Sequence, residues 1–122
     1  MPILTVEIVT RPNEHFSATL AQELAECAAE VFGSAPGGTW VRVHFTASEH
    51  YAENSIGPEH PYPVFVSVLK ARWPSPDVLQ TEVAQLTLSL AQICNRPPEN
   101  VHIIYSPEGA GRVAFGGQLV PG

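Results

Sequence analysis

Ile3-Leu4-Thr5-Val6-Glu7-Ile8-Val9 is the stretch that decides the fold, because a similar stretch recurs about half a chain later. It is rich in β-branched side chains and partly alternates between apolar and polar residues, which predicts a strand. A helical pattern and a second strand follow it, and the same order then returns. The sequence therefore predicts two consecutive β-α-β units.

In the first unit, the break at residues 11–14 contains Asn13, which we predict to be the N-cap of a helix. Apolar residues then recur every three or four positions up to Gly33, which predicts an amphipathic helix ending there. Its apolar stripe consists of Phe16, Leu20, Leu24, Cys27, Ala28 and Val31. Residues 40–45 predict the second strand.

The second unit repeats this order. Residues 63–69 predict a third strand, Ser75 is the expected cap of a second helix with Pro76 at its first position, and residues 101–105 predict a fourth strand. The apolar stripe of this helix is Leu79, Val83, Leu86, Leu90 and Ile93. An offset of sixty-one positions aligns Pro2 with Pro63 and Arg11 with Arg72, and an offset of sixty aligns Arg42 with His102.

These units define an α+β fold in one domain, residues 1–122, with the repeats at about 2–57 and 63–120. A β-α-β crossover is right-handed and pairs its strands in parallel. Two such units form a four-stranded mixed sheet with both helices on one face. The other face carries apolar side chains that need a partner, so we expect the chain to oligomerise.

Composition excludes several classes of function. The net charge is −6 with no basic stripe, so neither nucleic acid nor an anionic membrane is an expected partner. The chain start lacks the pattern of a signal peptide and no apolar run is long enough to cross a bilayer, which predicts a soluble, cytoplasmic protein. Cys27 and Cys94 share no metal or redox spacing and are expected to be reduced.

The common catalytic motifs are missing from the sequence. There is no P-loop, no GxGxxG between a strand and a helix, and no GxSxG. The five histidines show no paired zinc spacing. We therefore expect neither a metal nor a cofactor. Pro2 lies directly before the first strand.

Residues 101–108 and 115–120, with Gly116-Gly117, resemble the strand and glycine-rich hairpin that close the 4-oxalocrotonate tautomerase subunit. Val41-Arg42-Val43 resembles the same strand in the first half. The resemblance covers nearly the whole chain and is to fused, two-repeat members of the tautomerase superfamily. It implies a homotrimer, a tautomerase that needs no cofactor, and Pro2 as catalytic base once Met1 is removed.

The chemistry implied for Pro2 is physically sound. A free α-amine has a pKa of about 7.7–8.0, and burial or nearby cations lower it. The neutral amine then moves a proton between carbon and oxygen as a general base. Pro63 has its nitrogen in a peptide bond, so only one repeat has this base.

The resemblance also implies residues that bind the substrate, expected to be a small α-keto or dienol carboxylate. Arg42 and Arg72 are the expected carboxylate ligands, and Arg11 is a third arginine near a position that the family uses. His102 occupies in the second repeat the position of Arg42. Phe115 is the expected apolar wall of the pocket.

Two alternatives to tautomerase activity remain open at this point. Glu108 falls near the water-activating glutamate of the cis-3-chloroacrylic acid dehalogenase group. This predicts, as the first alternative, a dehalogenase, hydratase or decarboxylase of a small unsaturated or keto acid. The second alternative is an inactive assembly or signalling protein with the same fold.

Overall fold

The computed structural model describes residues 2–57 and 60–122, and these contain two helices packed on a four-stranded sheet. The strands are β1 (Ile3–Thr10), β2 (Trp40–Ala47), β3 (Val64–Leu69) and β4 (Val101–Tyr105), followed by a hairpin of β5 (Ala114–Phe115) and β6 (Gln118–Leu119). The helices are α1 (Leu20–Phe32) and α2 (Pro76–Cys94). No helix in the described part of the chain is long and apolar enough to cross a membrane.

The sheet has the order β2-β1-β3-β4 and is mixed, as predicted. β1 pairs with β2 in parallel and β3 with β4 in parallel, which is the pairing that a β-α-β crossover imposes. The two units meet where β1 and β3 run antiparallel, with Val6 opposite Val66. The fold class predicted from the sequence is confirmed.

The core lies between the helices and one face of the sheet. Alternate residues of β1 and β3 are fully buried there, and they pack on Leu24, Leu86 and Leu90 of the helices. The opposite, bare face carries Trp40, Ile104 and Phe65 among polar side chains. The bare face is therefore only half apolar, and both Trp40 and Ile104 are more than half exposed.

The predicted start of α1 is wrong. Asn13 has a φ of 60°, which is the left-handed region, whereas an N-cap has extended backbone. Helix α1 starts only at Leu20, after Thr19, so Phe16 belongs to the preceding loop. The cap of α2 is confirmed, because the Ser75 hydroxyl accepts a hydrogen bond from Val78 N–H at 3.4 Å.

The predicted offset of sixty-one positions, which aligned Pro2 with Pro63, is wrong by one residue, whereas the offset of sixty between Arg42 and His102 is confirmed. Side chains alternate between the two faces of a strand, so an odd offset would pair a buried position with one on the bare face. Leu4 and Val64 both face the core, as do Val41 and Val101, which gives an offset of sixty. Pro2 is therefore equivalent to Tyr62 rather than to Pro63.

The glycine-rich hairpin forms as predicted. Gly116 and Gly117 join β5 to β6 with φ values of 58° and 88°, and two consecutive positive φ angles are the requirement of a tight hairpin turn. The segment leading into the hairpin extends the edge of β3, since Gly109 N–H donates to the Lys70 carbonyl at 2.8 Å. The hairpin is thereby fixed at the end of the sheet where β1 begins.

Candidate functional site

Pro2 lies at the start of β1 and is buried. Its carbonyl accepts a hydrogen bond from Trp40 N–H at 3.0 Å, which joins it to the start of β2. Continuing the β1–β3 register by one position places Lys70 opposite Pro2 on the other side. Met1 is outside the described residues, so the removal of Met1 stays a prediction.

Arg72 and Glu108 both lie at this same end of the sheet. The Glu108 carboxylate accepts a hydrogen bond from Trp73 N–H at 2.7 Å, which fixes it beside the residue next to Arg72. The Trp73 indole N–H donates to the Ser106 carbonyl at 3.0 Å, which is a second hydrogen bond between Trp73 and the segment after β4. Both Arg72 and Glu108 are exposed, so a guanidinium cation and a carboxylate face solvent at this end of the sheet.

An aromatic pair borders this end of the sheet. The Phe115 ring meets the Trp40 ring edge to face, with 5.1 Å between ring centroids. The Trp40 indole N–H donates to the Gly37 carbonyl at 3.0 Å, which fixes the ring beside the start of β1. Phe115 therefore packs on Trp40, which pairs with Ile3, the residue after Pro2. Trp40 was not selected as a site residue from the sequence.

Arg42 lies three positions along β2 from the row of Pro2, on the bare face of the sheet. Its guanidinium donates to the Thr5 hydroxyl at 3.2 Å. The three positions correspond to about 10 Å of strand. Arg42 is exposed and shares the bare face with Trp40, which stands between it and the sheet end.

His102 is further from Pro2 within one chain. It pairs with Phe65, which pairs with Glu7, so it lies five positions and two strands away from Pro2. Five positions span about 17 Å along a strand. The His102 ring packs against Phe65 with centroids 5.5 Å apart on the bare face.

Arg11 lies just beyond the opposite end of β1, nine residues from Pro2 and thus about 30 Å away. Its guanidinium contacts the Glu14 carboxylate at 3.1 Å and the face of the Tyr62 ring at 5.6 Å. A single chain therefore does not bring Arg11 and Pro2 together.

A polar cluster near Pro2 was missed from the sequence. Lys70 at the end of β3 contacts Glu82 of α2, with Nζ 3.0 Å from Oε1. The Tyr105 hydroxyl donates to the other carboxylate oxygen of Glu82, and burial together with Glu82 raises the pKa of Tyr105. Glu82 lies within the apolar stripe of α2, between Leu79 and Leu86. A charged residue at such a position was the feature of the sequence that could have indicated the cluster.

Among residues 2–57 and 60–122, no group of three His, Cys, Asp or Glu side chains is placed to hold a metal ion. The chain matches no protein-family model, and a comparison with curated proteins gave no match.

Comparison with solved structures identifies the fold. A fused 4-OT called Q0, a symmetric trimer, has a TM-score of 0.78 at 10% sequence identity, covering 97% of this chain and 94% of that chain. A macrophage migration inhibitory factor homologue from Prochlorococcus marinus has a TM-score of 0.73 at 15% identity, covering 96% and 97%. FG41 malonate semialdehyde decarboxylase, inhibited by 3-bromopropiolate, has 0.66 at 15% identity, covering 93% and 90%. The chain has the tautomerase fold that these proteins share.

Proposed function

We propose that this protein is a cofactor-independent tautomerase of small α-keto or dienol carboxylates, with Pro2 as the general base after removal of Met1. Arg72 and Arg42 bind the carboxylate and stabilise the charge that develops on the enolate oxygen. Trp40 and Phe115 cover the apolar part of the substrate. Water supplies and accepts the protons that Pro2 exchanges with solvent.

The observation that carries this proposal is the gathering of dissimilar groups at one sheet end. Pro2 is buried there, Arg72 is exposed three residues after the end of β3, and the edge-to-face pair of Trp40 and Phe115 lies at the start of β2. A buried amine is easier to keep neutral, and an exposed arginine is free to bind an anion. The inhibition of the malonate semialdehyde decarboxylase neighbour by 3-bromopropiolate, itself a small carboxylate, supports this substrate class.

We further propose that the working form is a homotrimer. Arg11 and His102 are too far from Pro2 to join its site within one chain, and the half-apolar bare face is open to a neighbouring copy. In a three-fold symmetric ring one surface meets a different surface of the next copy, so a second chain can bring remote residues to Pro2. The fused 4-OT neighbour is a trimer, which supports the same arrangement.

The test of the proposed function is the tautomerisation of phenylenolpyruvate compared with its methyl ester. Loss of a charge-assisted hydrogen bond costs about 1.5–3 kcal/mol, so Arg72→Ala should lower kcat/KM for the acid about 10–100-fold. The neutral ester should be turned over almost equally by both proteins. Arg72→Lys is the matched control that keeps the charge, and the assayed sample should scatter light as a trimer of the 13.2 kDa chain.

Absence of turnover by a trimeric wild-type protein, shown by mass to lack Met1, would contradict the proposal. It would favour the inactive assembly or signalling alternative instead. An equal loss on the acid and the ester would remove Arg72 from carboxylate binding but leave Pro2 as the base.

A second candidate function, hydration chemistry that includes dehalogenation, is favoured by one observation. Glu108 is fixed beside Arg72 through Trp73 N–H, and only one of its carboxylate oxygens makes that hydrogen bond. A carboxylate so placed is able to orient and deprotonate a water molecule that attacks a bound unsaturated acid. The protonated Pro2 amine then supplies the proton to carbon.

Glu108→Gln separates the two activities. If hydration occurs, the substitution should lower turnover of 3-haloacrylates at least 100-fold and leave enol tautomerisation within about two-fold, because proton transfer needs only Pro2. The measurement is halide release beside the phenylenolpyruvate assay on the same preparations. We expect neither the wild type nor Glu108→Gln to release halide, which would eliminate the dehalogenase alternative.

A further inference from the structure

Lys70, Glu82 and Tyr105 form a polar network between the sheet and α2, in which Glu82 is buried and the other two side chains are half-buried. Lys70 Nζ is 3.0 Å from Glu82 Oε1 and 4.9 Å from the centroid of the Phe32 ring, while Tyr105 donates to the other oxygen of Glu82. Glu82 is only 7% exposed. Removing an ion pair from water costs free energy that its attraction barely returns, so stability alone does not explain this network.

The network lies beside Pro2. The ladder ends with Leu4 opposite Val68 and Ile3 opposite Leu69, and continuing this register by one position places Lys70 opposite Pro2. Both are on the side of the sheet that faces the helices, where directly opposite Cβ atoms are about 4.5–5.5 Å apart. The Lys70 side chain therefore begins directly across the strand pair from Pro2.

The first repeat lacks this network. With the offset of sixty that the strands obey, Lys70 corresponds to Thr10 and Tyr105 to Phe45. The helix caps Gly33 and Asn95 differ by sixty-two positions, so Glu82 corresponds to Leu20.

The residue that corresponds to Pro2 is Tyr62, whose nitrogen is in a peptide bond. The charged pair of Lys70 and Glu82 therefore lies at the sheet end where Pro2 can have a free amine. At the equivalent position beside Tyr62, neutral or apolar side chains replace both charged residues.

We infer that Lys70, fixed by Glu82, is a positioning residue that holds the Pro2 amine in its neutral, proton-accepting form. This inference rests on the proposed function, because it assumes that the Pro2 amine is the general base. A cation close to an amine disfavours protonation of that amine, and the effect is larger where the protein excludes water. Glu82 fixes the ammonium in place and moderates its charge.

Other charged groups at this sheet end face solvent. Arg42 lies on the bare face and bonds to Thr5, Arg72 is exposed, and the exposed Glu108 bonds to Trp73 N–H. Solvent and salt screen exposed charges far more than buried ones. Lys70 and Glu82 are far less exposed, with 19% and 8% of their side-chain surface open to solvent.

The test measures two quantities on variants whose mass shows that Met1 is absent. One is the pH midpoint of kcat/KM for phenylenolpyruvate, and the other is the titration of the Pro2 nitrogen by NMR of proline-labelled protein. Lys70→Met should raise both midpoints by about one pH unit, because the neighbouring cation is gone. Lys70→Arg keeps the charge and should restore the wild-type midpoint.

Glu82→Gln provides a second test if Lys70→Met fails to fold. The amide has the shape of the carboxylate and still accepts from Tyr105, but it no longer offsets the ammonium, so both midpoints should fall. Midpoints that stay at the wild-type pH in both folded variants would overturn the inference and leave the network a structural role.

The NMR titration also separates the two proposals. Shifted Pro2 titrations in a protein without turnover would support the role of Lys70 and contradict the proposed function. Unshifted Pro2 titrations in an active enzyme would contradict the role of Lys70 and support the proposed function.

Discussion

Replacing Arg96 with methionine is expected to lower the free energy of unfolding by about 3–5 kcal/mol, because it breaks a buried ion pair and removes the donor of several backbone carbonyls. The Arg96 guanidinium is fully buried and contacts both oxygens of Glu14, at 2.7 and 2.8 Å. It also donates to the carbonyls of Tyr62 and Val9 at 2.6 and 2.8 Å. One side chain thereby joins the end of α2 to the first repeat, and urea unfolding at unchanged m-value measures its contribution.

Arg11→Met is the matched control. Arg11 contacts the same Glu14 carboxylate at 3.1 Å, but its side chain is 39% exposed, and exposed ion pairs contribute about 0–1 kcal/mol. Equal losses from the two substitutions would contradict the claim that burial makes the Arg96 contact strong.

The destabilisation caused by Arg96→Met should also depend on pH. Burial raises the pKa of Glu14, but hydrogen bonds from Arg96 and from the Arg11 backbone, with the two positive charges, outweigh it, and the net pKa is below 4.5. A lowered carboxyl pKa contributes stability that is fully present above pH 4.5 and is lost as the pH falls through the native pKa. The difference in the free energy of unfolding between wild type and Arg96→Met should therefore become smaller as the pH falls below 4.5.

Replacing Pro2 with alanine is expected to lower kcat/KM for phenylenolpyruvate at least 100-fold while the fold persists. General base catalysis contributes about 10²–10⁴-fold, and alanine substitutes a more mobile primary amine of different pKa. Pro2 contributes one backbone carbonyl to the sheet, through the bond to Trp40 N–H, and alanine retains it. Steady-state kinetics beside a thermal unfolding curve measures both effects.

A chain with one extra residue before Pro2 is the companion variant. It keeps the proline ring and places its nitrogen in an amide, which has no basic lone pair, so activity should fall below that of Pro2→Ala. Intact mass establishes the first residue of every sample. Unchanged activity in a sample that retains Met1 would exclude Pro2 from the mechanism.

The sequence by itself determined the repeat, the fold class and the hairpin. Those features depend on local patterns: β-branched runs in β1 and β3, the cap at Ser75, and the pair Gly116-Gly117. The sequence also selected Pro2, Arg72, Glu108 and Phe115, which the fold gathers at one end of the sheet. Their roles stay predictions, and so does the role of Arg42.

The tertiary structure decided what depends on register and on contacts between distant segments. Strand pairing showed that the strands of the two repeats are offset by sixty residues. Sequence similarity does not define this offset, because a strand position accepts many different side chains. The tertiary structure also placed Arg11 and His102 far from Pro2 within the chain. Glu82 and Arg96 acquire partners 12 and 82 residues away, so only folding brings together the charges that make their burial possible.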